Sequence, residues 1–265
     1  MGPNGSAISR PKDETMENGS KKALKVIVTM PAYNAAKTLI KTWNDIDKNI
    51  VSEIILVDDC SKDDTVAVAS TLPIKVIRHP HNVGYGGNQK TGYAEALRDG
   101  ADVVIMLHPD YQYDPLKIPD MVGPIARGEA DIVLGSRFLG GGALKGGMPM
   151  YKFIANRCLT TVQNWVLGTN VSEFHTGYRA YSRKFLETVP FLRNSLAFVF
   201  DSEILCQAAF FGFKIAEIGV ETRYFAEASS INFWNSVKYG LGVLSTLVKY
   251  SGAKAGIIKC DLFKP

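Results

Sequence analysis

The strongest constraint on the fold is a series of apolar runs, each of strand length, separated by segments with helical spacing. Five runs lie at 24–30, 53–59, 74–79, 102–108 and 130–138. Runs that are apolar at consecutive positions are typical of strands buried on both faces, as in parallel sheets. Strands that alternate with helices of about ten to fifteen residues indicate βαβ units. We therefore expect an α/β protein with a mostly parallel twisted sheet flanked by helices.

The pattern changes after residue 138. A mobile glycine-rich loop is predicted at 139–150, and helices are predicted at 151–168, 201–213 and 231–250. The longest uncharged stretch of the last helix is about half of the ~20 residues that a bilayer span requires. Its aromatic and aliphatic residues, with lysines beside them, fit an amphipathic helix at a membrane surface, and packing on the core is the alternative.

Three regions are expected along the chain. Residues 1–23 are rich in Gly, Ser, Pro and mixed charge and lack the apolar core of a signal peptide, which predicts a disordered tail. Residues 24–229 are expected to form one domain. The C-terminal amphipathic helix and tail, 230–265, are expected to pack on or beside that domain.

Composition and charge argue against a nucleic-acid-binding protein, a zinc site and a disulfide scaffold. Hydrophobic residues make up 46% and charged residues 21% of the 265 residues, which are ordinary values for a soluble α/β protein. The net charge of +4 is too small to indicate nucleic-acid binding, although it suits anionic ligands or an anionic membrane surface. The four cysteines include no CxxC pair, so we expect a reducing compartment rather than a zinc site or a disulfide scaffold.

Polar side chains follow the predicted strands at their carboxyl ends, where ligands bind in open α/β sheets. Asp58 and Asp59 follow the second run, and such a carboxylate pair can accept ribose hydroxyls or a base N–H. In HPDYQ (108–112), Asp110 and Gln112 are two apart and can face one side of an extended segment. Their oxygens suit Mg²⁺ or Mn²⁺ held jointly with a diphosphate, and His108 is spaced to join them.

Two local patterns have a simpler structural interpretation. Ser61 and Asp64 form a predicted capping box that opens the helix after the second run. The segment NVGYGGN (82–88) fails the dinucleotide pattern because Gln89 stands where glycine is required, and it lacks the GK[ST] of a P-loop. Its glycines allow a tight turn from strand to helix with backbone N–H groups available to a ligand.

Seven motifs follow one another along the chain: PAYN (31–34), LVDDCSKD (56–63), NVGYGGN (82–88), HPDYQ (108–112), GSRF (135–138), HTGYRAYSR (175–183) and FDSE (200–203). Their order resembles that of family 2 glycosyltransferases with the GT-A fold. Within that family the resemblance is closest to the dolichyl- or polyprenyl-phosphate hexosyltransferases, and it covers about 24–250.

The resemblance implies a nucleotide-diphosphate sugar, GDP- or UDP-linked, as donor. Its expected binding residues are Pro31, Tyr33, Asn34, Asp58, Asp59, Gly84, Gly86, Pro109 and Asp110. It also implies Mg²⁺ or Mn²⁺ as cofactor, bound by Asp110, Gln112 and His108. The family motif has an aspartate where His108 stands, and an imidazole tolerates Mn²⁺ better than Mg²⁺. Ala35 replaces a glutamate that often contacts the base, so the nucleotide is not specified.

The resemblance also implies how the acceptor is bound. Arg137, Arg179 and Arg223 match family residues near the diphosphate and acceptor phosphate, where a guanidinium pairs bidentately with phosphate oxygens. A salt bridge to a carboxylate is the alternative for each. The expected catalytic residues are Asp110, Arg137, Asp201 and Glu203. Asp201 or Glu203 would be the base for a hydroxyl acceptor, with helix capping as the alternative for Asp201.

The expected function is inverting transfer of a hexose to a polyprenyl monophosphate by a peripheral protein at the cytoplasmic membrane face. One alternative is a family 2 glycosyltransferase that acts on a glycan or a soluble hydroxyl acceptor. Another is a nucleotide-sugar-binding module without catalysis. A nucleotidyltransferase is disfavoured, because PAYNAAK lacks the glycine-rich loop that follows the first strand of those enzymes.

Overall fold

The structure, a computed structural model, describes residues 23–139, 141–223 and 233–264. The predicted disordered tail lies outside the described residues, apart from residue 23. So do position 140 of the predicted glycine-rich loop and the segment 224–232 that precedes the last helix.

Seven strands in the described part of the chain form one sheet. They are β1 (Val26–Ala32), β2 (Val51–Asp58), β3 (Lys75–Arg78), β4 (Val103–Met106), β5 (Ile132–Ser136), β6 (Arg179–Ser182) and β7 (Ile215–Gly219). The order is β3-β2-β1-β4-β6-β5-β7, and every neighbouring pair is parallel except the two pairs made by β6. The predicted mostly parallel sheet is therefore confirmed, with β6 inserted antiparallel between β4 and β5.

Eight α-helices in the same residues flank the sheet. They are α1 (Leu39–Asn44), α2 (Thr65–Ala69), α3 (Tyr85–Arg98), α4 (Ile118–Ala126), α5 (Met150–Leu167), α6 (Arg183–Thr188), α7 (Phe200–Phe210) and α8 (Phe233–Lys254). Pro124 lies inside α4, and a 3-10 turn at Pro115–Lys117 precedes that helix. No helix among the described residues has the length and apolar character needed to cross a bilayer.

Two apolar layers cover the sheet, which explains why its strands are apolar at consecutive positions. Alternate side chains of a strand point to opposite faces. In β1, Ile27 lies in the layer that contains residues of α3, α6, α7 and α8, while Val28 lies in the layer that contains residues of α1, α2 and α4. Because β1 to β5 and β7 run in the same direction, their carboxyl ends lie along one edge of the sheet.

The predicted capping box of Ser61 and Asp64 is wrong. Asp63 accepts the hydrogen bond from the backbone N–H of Thr65, at 3.0 Å, where α2 begins. Ser61 Oγ instead accepts from the backbone N–H of Asn34 at 2.9 Å, and Asn34 Oδ1 accepts from the Lys62 N–H at 2.8 Å. These bonds join the turn after β1 to the loop after β2, so Ser61 shapes the edge of the sheet.

Candidate active site

A cleft of about 670 Å³ lies at the edge of the sheet where the parallel strands end. Its lining residues come from the ends of β1 to β5, from the loops that follow them, and from α5 and α8. The sheet order places these loops in one row. Because β6 runs antiparallel to β4 and β5, the residues that precede it also lie at this edge.

The cleft brings together most of the residues that the sequence predicts for a site. Those that line it are Pro31, Tyr33, Asp59, Gly84, His108, Asp110, Gln112, Arg137 and Asp201. Those outside its lining are Asn34, Asp58, Gly86, Pro109, Arg179, Glu203 and Arg223.

The two aspartates after β2 have different surroundings. Asp59 lines the cleft, and its carboxylate accepts hydrogen bonds from the backbone N–H groups of Val83, at 2.9 Å, and Gly84, at 3.1 Å. His79 Nδ1 lies 2.9 Å from the same carboxylate. Asp58 is fully buried and accepts from the backbone N–H of Ser61 at 3.2 Å. Asp59 is thus placed to contact a molecule bound in the cleft, whereas Asp58 is buried and stabilises the loop that follows β2.

Glycines in the segment after β3 allow close packing. Gly84 has a φ of +89°, a left-handed conformation that favours glycine. At Gly86 a Cβ atom would lie 2.4 Å from the Ser195 carbonyl oxygen and 2.8 Å from Phe200 Cβ. Gly86 therefore lets α3 approach the chain before α7, and its own N–H donates to the Leu196 carbonyl at 2.8 Å. It does not present that N–H to the cleft.

The predicted metal ligands all line the cleft, although their local geometry differs from the expected extended segment. Tyr111 has a φ of +59°, so the chain turns between Asp110 and Gln112. Asp110 Oδ1 accepts a hydrogen bond from the Gln112 N–H at 3.1 Å. The described residues contain no group of three His, Cys, Asp or Glu side chains that could hold a metal. A cation at Asp110 would therefore need oxygen ligands from a bound diphosphate.

Tyr85 is a site residue that the sequence motifs did not single out. Its ring stacks on His108, with centroids 5.7 Å apart, and on Phe198 at 4.7 Å. Its hydroxyl donates to Asp201 at 2.9 Å. The His108 ring also lies against Gly177, where a Cβ would be 3.0 Å from the imidazole. Tyr85 and Gly177 together fix the position of the His108 ring.

The prediction that Arg179 binds a phosphate is not supported. Its side chain has no exposed area and forms an ion pair with Asp201 at 3.2 Å. It also donates to the carbonyl oxygens of Thr176, at 2.9 Å, and Phe174, at 3.2 Å. Asp201 additionally accepts from Gln89 Nε2 at 3.1 Å, so both of its carboxylate oxygens have partners.

Glu203 faces a different cavity from Asp201. It accepts a hydrogen bond from the Ser195 backbone N–H at 2.6 Å and lines a separate cavity of about 520 Å³ together with Lys249. Burial raises the pKa of the Glu203 carboxyl above its usual value. Of the two candidate bases predicted for a hydroxyl acceptor, Asp201 therefore lines the cleft and Glu203 does not.

Arg137 follows β5 and lines the cleft, yet it also forms a buried salt bridge. Its Nε donates to Glu173 at 2.8 Å, and its Nη2 donates to Glu173 and, at 2.9 Å, to the His175 carbonyl. Glu173 has no exposed area and accepts a further bond from Asn156 Nδ2 at 2.8 Å. Glu173 was not predicted as a site residue, although it lies two residues before the HTGY motif.

Arg223 is exposed and lies beside the metal-ligand loop, apart from Arg137. Its backbone N–H donates to the Gln112 carbonyl at 3.0 Å, and its guanidinium lies 5.2 Å from the Tyr111 ring. The hydrogen bond with Tyr111 raises the pKa of Arg223. The two arginines therefore adjoin different parts of the site.

Lys152 and His175 line the cleft near Arg137 and were not among the predicted site residues. Burial, and then the charge of Arg137, lowers the pKa of Lys152. Burial and the positive charges of Arg137 and Arg179 lower the pKa of His175 to about 3, so its imidazole is neutral. His175 Nδ1 lies 2.6 Å from the hydroxyl of Tyr239, which comes from α8.

Several curated relatives match most of this chain. An uncharacterised protein of Methanocaldococcus jannaschii is 30% identical over 75% of this chain and 82% of its own length. A UDP-N-acetylglucosamine–dolichyl-phosphate N-acetylglucosaminyltransferase of Methanococcus voltae is 27% identical over 75% of this chain and 86% of its length. A polyprenol monophosphomannose synthase of Mycolicibacterium smegmatis is 25% identical over 74% and 76%, respectively.

Solved structures share the fold at lower sequence identity. Glucosyl-3-phosphoglycerate synthase from Mycobacterium tuberculosis, in complex with Mn²⁺, UDP-glucose and glycerol 3-phosphate, has a TM-score of 0.68 and 21% identity. The match covers 93% of this chain and 87% of that one. The same enzyme has also been solved with Mg²⁺ and UDP. The expected GT-A architecture is thereby confirmed.

The sequence profile described as glycosyl transferase family 2 matches residues 27–189, which contain β2 to β6, all but the first residue of β1, and most of the residues that line the cleft. The chain belongs to glycosyl transferase family 2.

Proposed function

We propose that this glycosyltransferase transfers a hexose from a nucleotide-diphosphate sugar to a polyprenyl monophosphate, with inversion at the anomeric carbon. The names of the relatives from Methanococcus voltae and Mycolicibacterium smegmatis support a lipid-phosphate acceptor. In the proposed reaction a phosphate oxygen of the acceptor attacks the anomeric carbon. The bond from that carbon to the nucleoside diphosphate breaks as the new bond forms.

The observation that carries this proposal is that each carboxylate in the cleft already has hydrogen-bond donors or an expected role in metal binding. Three aspartates are among the described lining residues: Asp59, Asp110 and Asp201. Asp59 and Asp201 accept hydrogen bonds on both carboxylate oxygens, and Asp110 is the carboxylate expected to bind the metal. A hydroxyl acceptor must lose a proton to a base, whereas a phosphate monoester is already an anion. The cleft therefore favours a phosphate acceptor.

The residues present fit a divalent cation that is shared with the donor. Asp110 supplies a carboxylate, Gln112 an amide oxygen and His108 an imidazole, a donor set suited to Mg²⁺ or Mn²⁺. The Mn²⁺ and Mg²⁺ complexes of the structural neighbour are consistent with this choice. The bound cation would neutralise charge on the leaving diphosphate. Asp59 and the loop at Gly84 would hold the nucleoside.

Two exposed apolar stripes support a peripheral position at a membrane, and we propose the cytoplasmic face. On the face turned to solvent, exposed apolar side chains recur at spacings of three and four residues on α8, and at spacings of three and eight residues on α5. They are Tyr151, Ile154, Val162 and Trp165 of α5, and Trp234, Val237, Leu241, Leu244 and Val248 of α8. The opposite side of α8 is buried, so the exposed stripe is additional to core packing. Both helices also line the cleft.

Sugar transfer to a short-chain polyprenyl phosphate tests the chemistry directly. A thermal-shift panel of GDP, UDP and dTDP with Mn²⁺ would first identify the donor class, because a bound nucleotide stabilises the native state. The corresponding sugars would then be assayed with the lipid phosphate and with a soluble glycan. Efficient transfer to the glycan alone would contradict the proposal and favour the hydroxyl-acceptor alternative.

Co-sedimentation with anionic liposomes tests membrane association. Leu241→Glu should reduce binding at least fivefold, because it places a charge in the exposed stripe of α8. Leu116→Glu is a matched control, since Leu116 is 65% exposed and Leu241 is 63% exposed. Leu116 precedes α4, in the layer on the other face of the sheet. Equal binding of both variants and the parent would exclude this surface.

A further inference from the structure

We propose that His79 is a positioning residue of the donor site, which holds the Asp59 carboxylate so that one acceptor position is left for the nucleobase. A base with a single ring N–H, such as uracil or thymine, is then preferred to guanine, which presents two adjacent N–H groups. The inference rests on the nucleoside position proposed above and names the class of base in the donor. His79 lies outside the lining of the cleft and was not among the predicted site residues.

His79 follows β3, and both of its ring nitrogens have hydrogen-bond partners. Its Nδ1 lies 2.9 Å from Asp59 Oδ1, and its Nε2 lies 2.9 Å from the hydroxyl of Thr91 on α3. A carboxylate only accepts hydrogen bonds, so Nδ1 carries a proton and donates it to Asp59. The His79 side chain is 11% exposed, so water has little access to this bond. The imidazole therefore connects α3 with a carboxylate that lines the cleft.

Most of the acceptor capacity of the Asp59 carboxylate is already used within the protein. Each carboxylate oxygen has two lone pairs. Oδ1 accepts from His79 and, at 2.9 Å, from the Val83 N–H, which uses both of its lone pairs. Oδ2 accepts from the Gly84 N–H at 3.1 Å. Among the contacts of the described residues, one acceptor position, on Oδ2, is therefore left for a ligand.

Asn82 supplies a hydrogen-bond donor beside this acceptor position. The Gly84 N–H lies 3.1 Å from both Asp59 Oδ2 and Asn82 Oδ1, so the two side chains adjoin. Asn82 lines the cleft, and its Nδ2 donates one proton to the Asp59 backbone carbonyl at 3.2 Å. A side-chain amide has two donors, so the second proton is available to a ligand. One donor beside one acceptor matches the edge of uracil, where carbonyl oxygens flank the ring N–H.

Guanine presents a different pattern on the corresponding edge. Its ring N–H stands beside an exocyclic amino group, so two adjacent donors face the carboxylate. Oδ2 of Asp59 can accept the first donor, but the second faces Oδ1, whose lone pairs are taken by His79 and Val83. An amino group that loses its water without gaining a partner weakens binding by about fivefold or more.

Inosine diphosphate (IDP) isolates this effect, because hypoxanthine is guanine without the amino group and keeps a single ring N–H. Titration calorimetry with UDP, IDP and GDP in the presence of Mn²⁺ gives the three Kd values. The diphosphate, the ribose and the metal are common to IDP and GDP, so they cancel in the ratio of the two. In the parent we expect the Kd of GDP to exceed that of IDP by about fivefold or more, and UDP to bind more tightly than GDP.

Substitutions of His79 separate positioning from packing. His79→Phe removes the donor to Oδ1 and keeps an aromatic ring, and His79→Leu is a second variant without a donor. In both, the Asp59 carboxylate can turn to accept two donors, so the Kd of GDP should fall by about threefold or more below the parent value. A site that is merely loosened would lose affinity for all three nucleotides.

Two control variants should keep the ratio of the GDP and IDP Kd values within about twofold of the parent. His79→Asn retains an amide nitrogen near the position of Nδ1, so the hydrogen bond to Asp59 is retained. His81→Phe makes the aromatic substitution at an exposed histidine outside the lining of the cleft.

The two proposals fail in distinguishable ways. Equal Kd values for IDP and GDP in the parent, tighter binding of GDP than of UDP, or unchanged or weaker GDP binding in His79→Phe and His79→Leu would overturn the role of His79. Each of these results leaves sugar transfer to polyprenyl phosphate intact, because a guanosine donor would also serve that reaction. Selectivity that depends on His79, in a parent that transfers no sugar to polyprenyl phosphate, would support the role of His79 and overturn the lipid acceptor. A parent that binds none of the three nucleotides would overturn both proposals.

Discussion

Replacing Glu173 with Gln should destabilise the fold, because Glu173 is the buried counter-charge of Arg137. Glu173 has no exposed area, and its carboxylate accepts hydrogen bonds from the Arg137 backbone N–H, the Arg137 guanidinium and the Asn156 amide. Gln has nearly the same shape but no charge. Its amide nitrogen would also face a donor in place of an acceptor oxygen, so at least one of these bonds must break.

The size of the effect follows from the burial of the partner. Removing one member of a buried ion pair costs about 3–5 kcal/mol. Arg137 keeps 11% of its side-chain surface exposed and retains its bond to the His175 carbonyl, so we expect the lower end, about 3 kcal/mol. In a chain of this size about 1 kcal/mol changes the Tm by about 2–4 °C, so the Tm should fall by about 6–12 °C.

Urea denaturation and thermal melting of the purified variants measure this change. Glu129→Gln is the matched control, because Glu129 and Arg127 form an ion pair whose side chains are 55% and 58% exposed. An exposed pair of this kind contributes about 0–1 kcal/mol. Equal free energies of unfolding for Glu173→Gln and Glu129→Gln would refute the reasoning.

Three further outcomes are expected. Asp110→Ala should abolish sugar transfer and leave the Tm within about 2 °C of the parent, since it lies in a loop; full activity in this variant or in excess chelator would contradict the metal site. Gly86→Ala should lower the free energy of unfolding by about 1–3 kcal/mol, because its Cβ would lie 2.4 Å from the Ser195 carbonyl oxygen, whereas Gly142→Ala, with no contact under 3.7 Å, should not. The pKa of His175 falls from 6.5 to about 3 on folding, so the unfolded state binds the extra proton and stability is lost as the pH falls from 6.5 towards 3. The stability of the parent relative to His175→Gln should fall by up to about 1.4 kcal/mol per pH unit in that window, and a difference that is constant with pH would contradict this.

The strands could be predicted because their apolar runs are local. The difference between Asp58 and Asp59 could not, because the sequence shows only that both follow β2. Successive side chains of a strand point in opposite directions, and here Asp58 is enclosed while Asp59 lines the cleft. Asp58 is the last residue of β2 and Asp59 the first residue after it, so which carboxylate faces the cleft depends on the residue at which the strand ends.

The burial of the three predicted phosphate-binding arginines could not be predicted from the sequence either. Arg137, Arg179 and Arg223 match the same family roles, yet they are respectively mostly buried, fully buried and exposed. Lys152 and Tyr239 were missed because they come from α5 and α8, which line the cleft only through tertiary packing. Neither helix carries a local signal that distinguishes a cleft-lining residue from a surface residue.

The position of Tyr85 connects the proposed nucleoside-binding residues with a candidate metal ligand. Gly84, the preceding residue in the chain, donates its backbone N–H to Asp59, and the Tyr85 ring stacks on His108. A nucleotide that shifts Gly84 therefore changes the packing of a candidate metal ligand. By linkage, any factor by which the nucleotide raises metal affinity is the factor by which the metal raises nucleotide affinity. We accordingly expect the cation and the nucleotide to bind cooperatively.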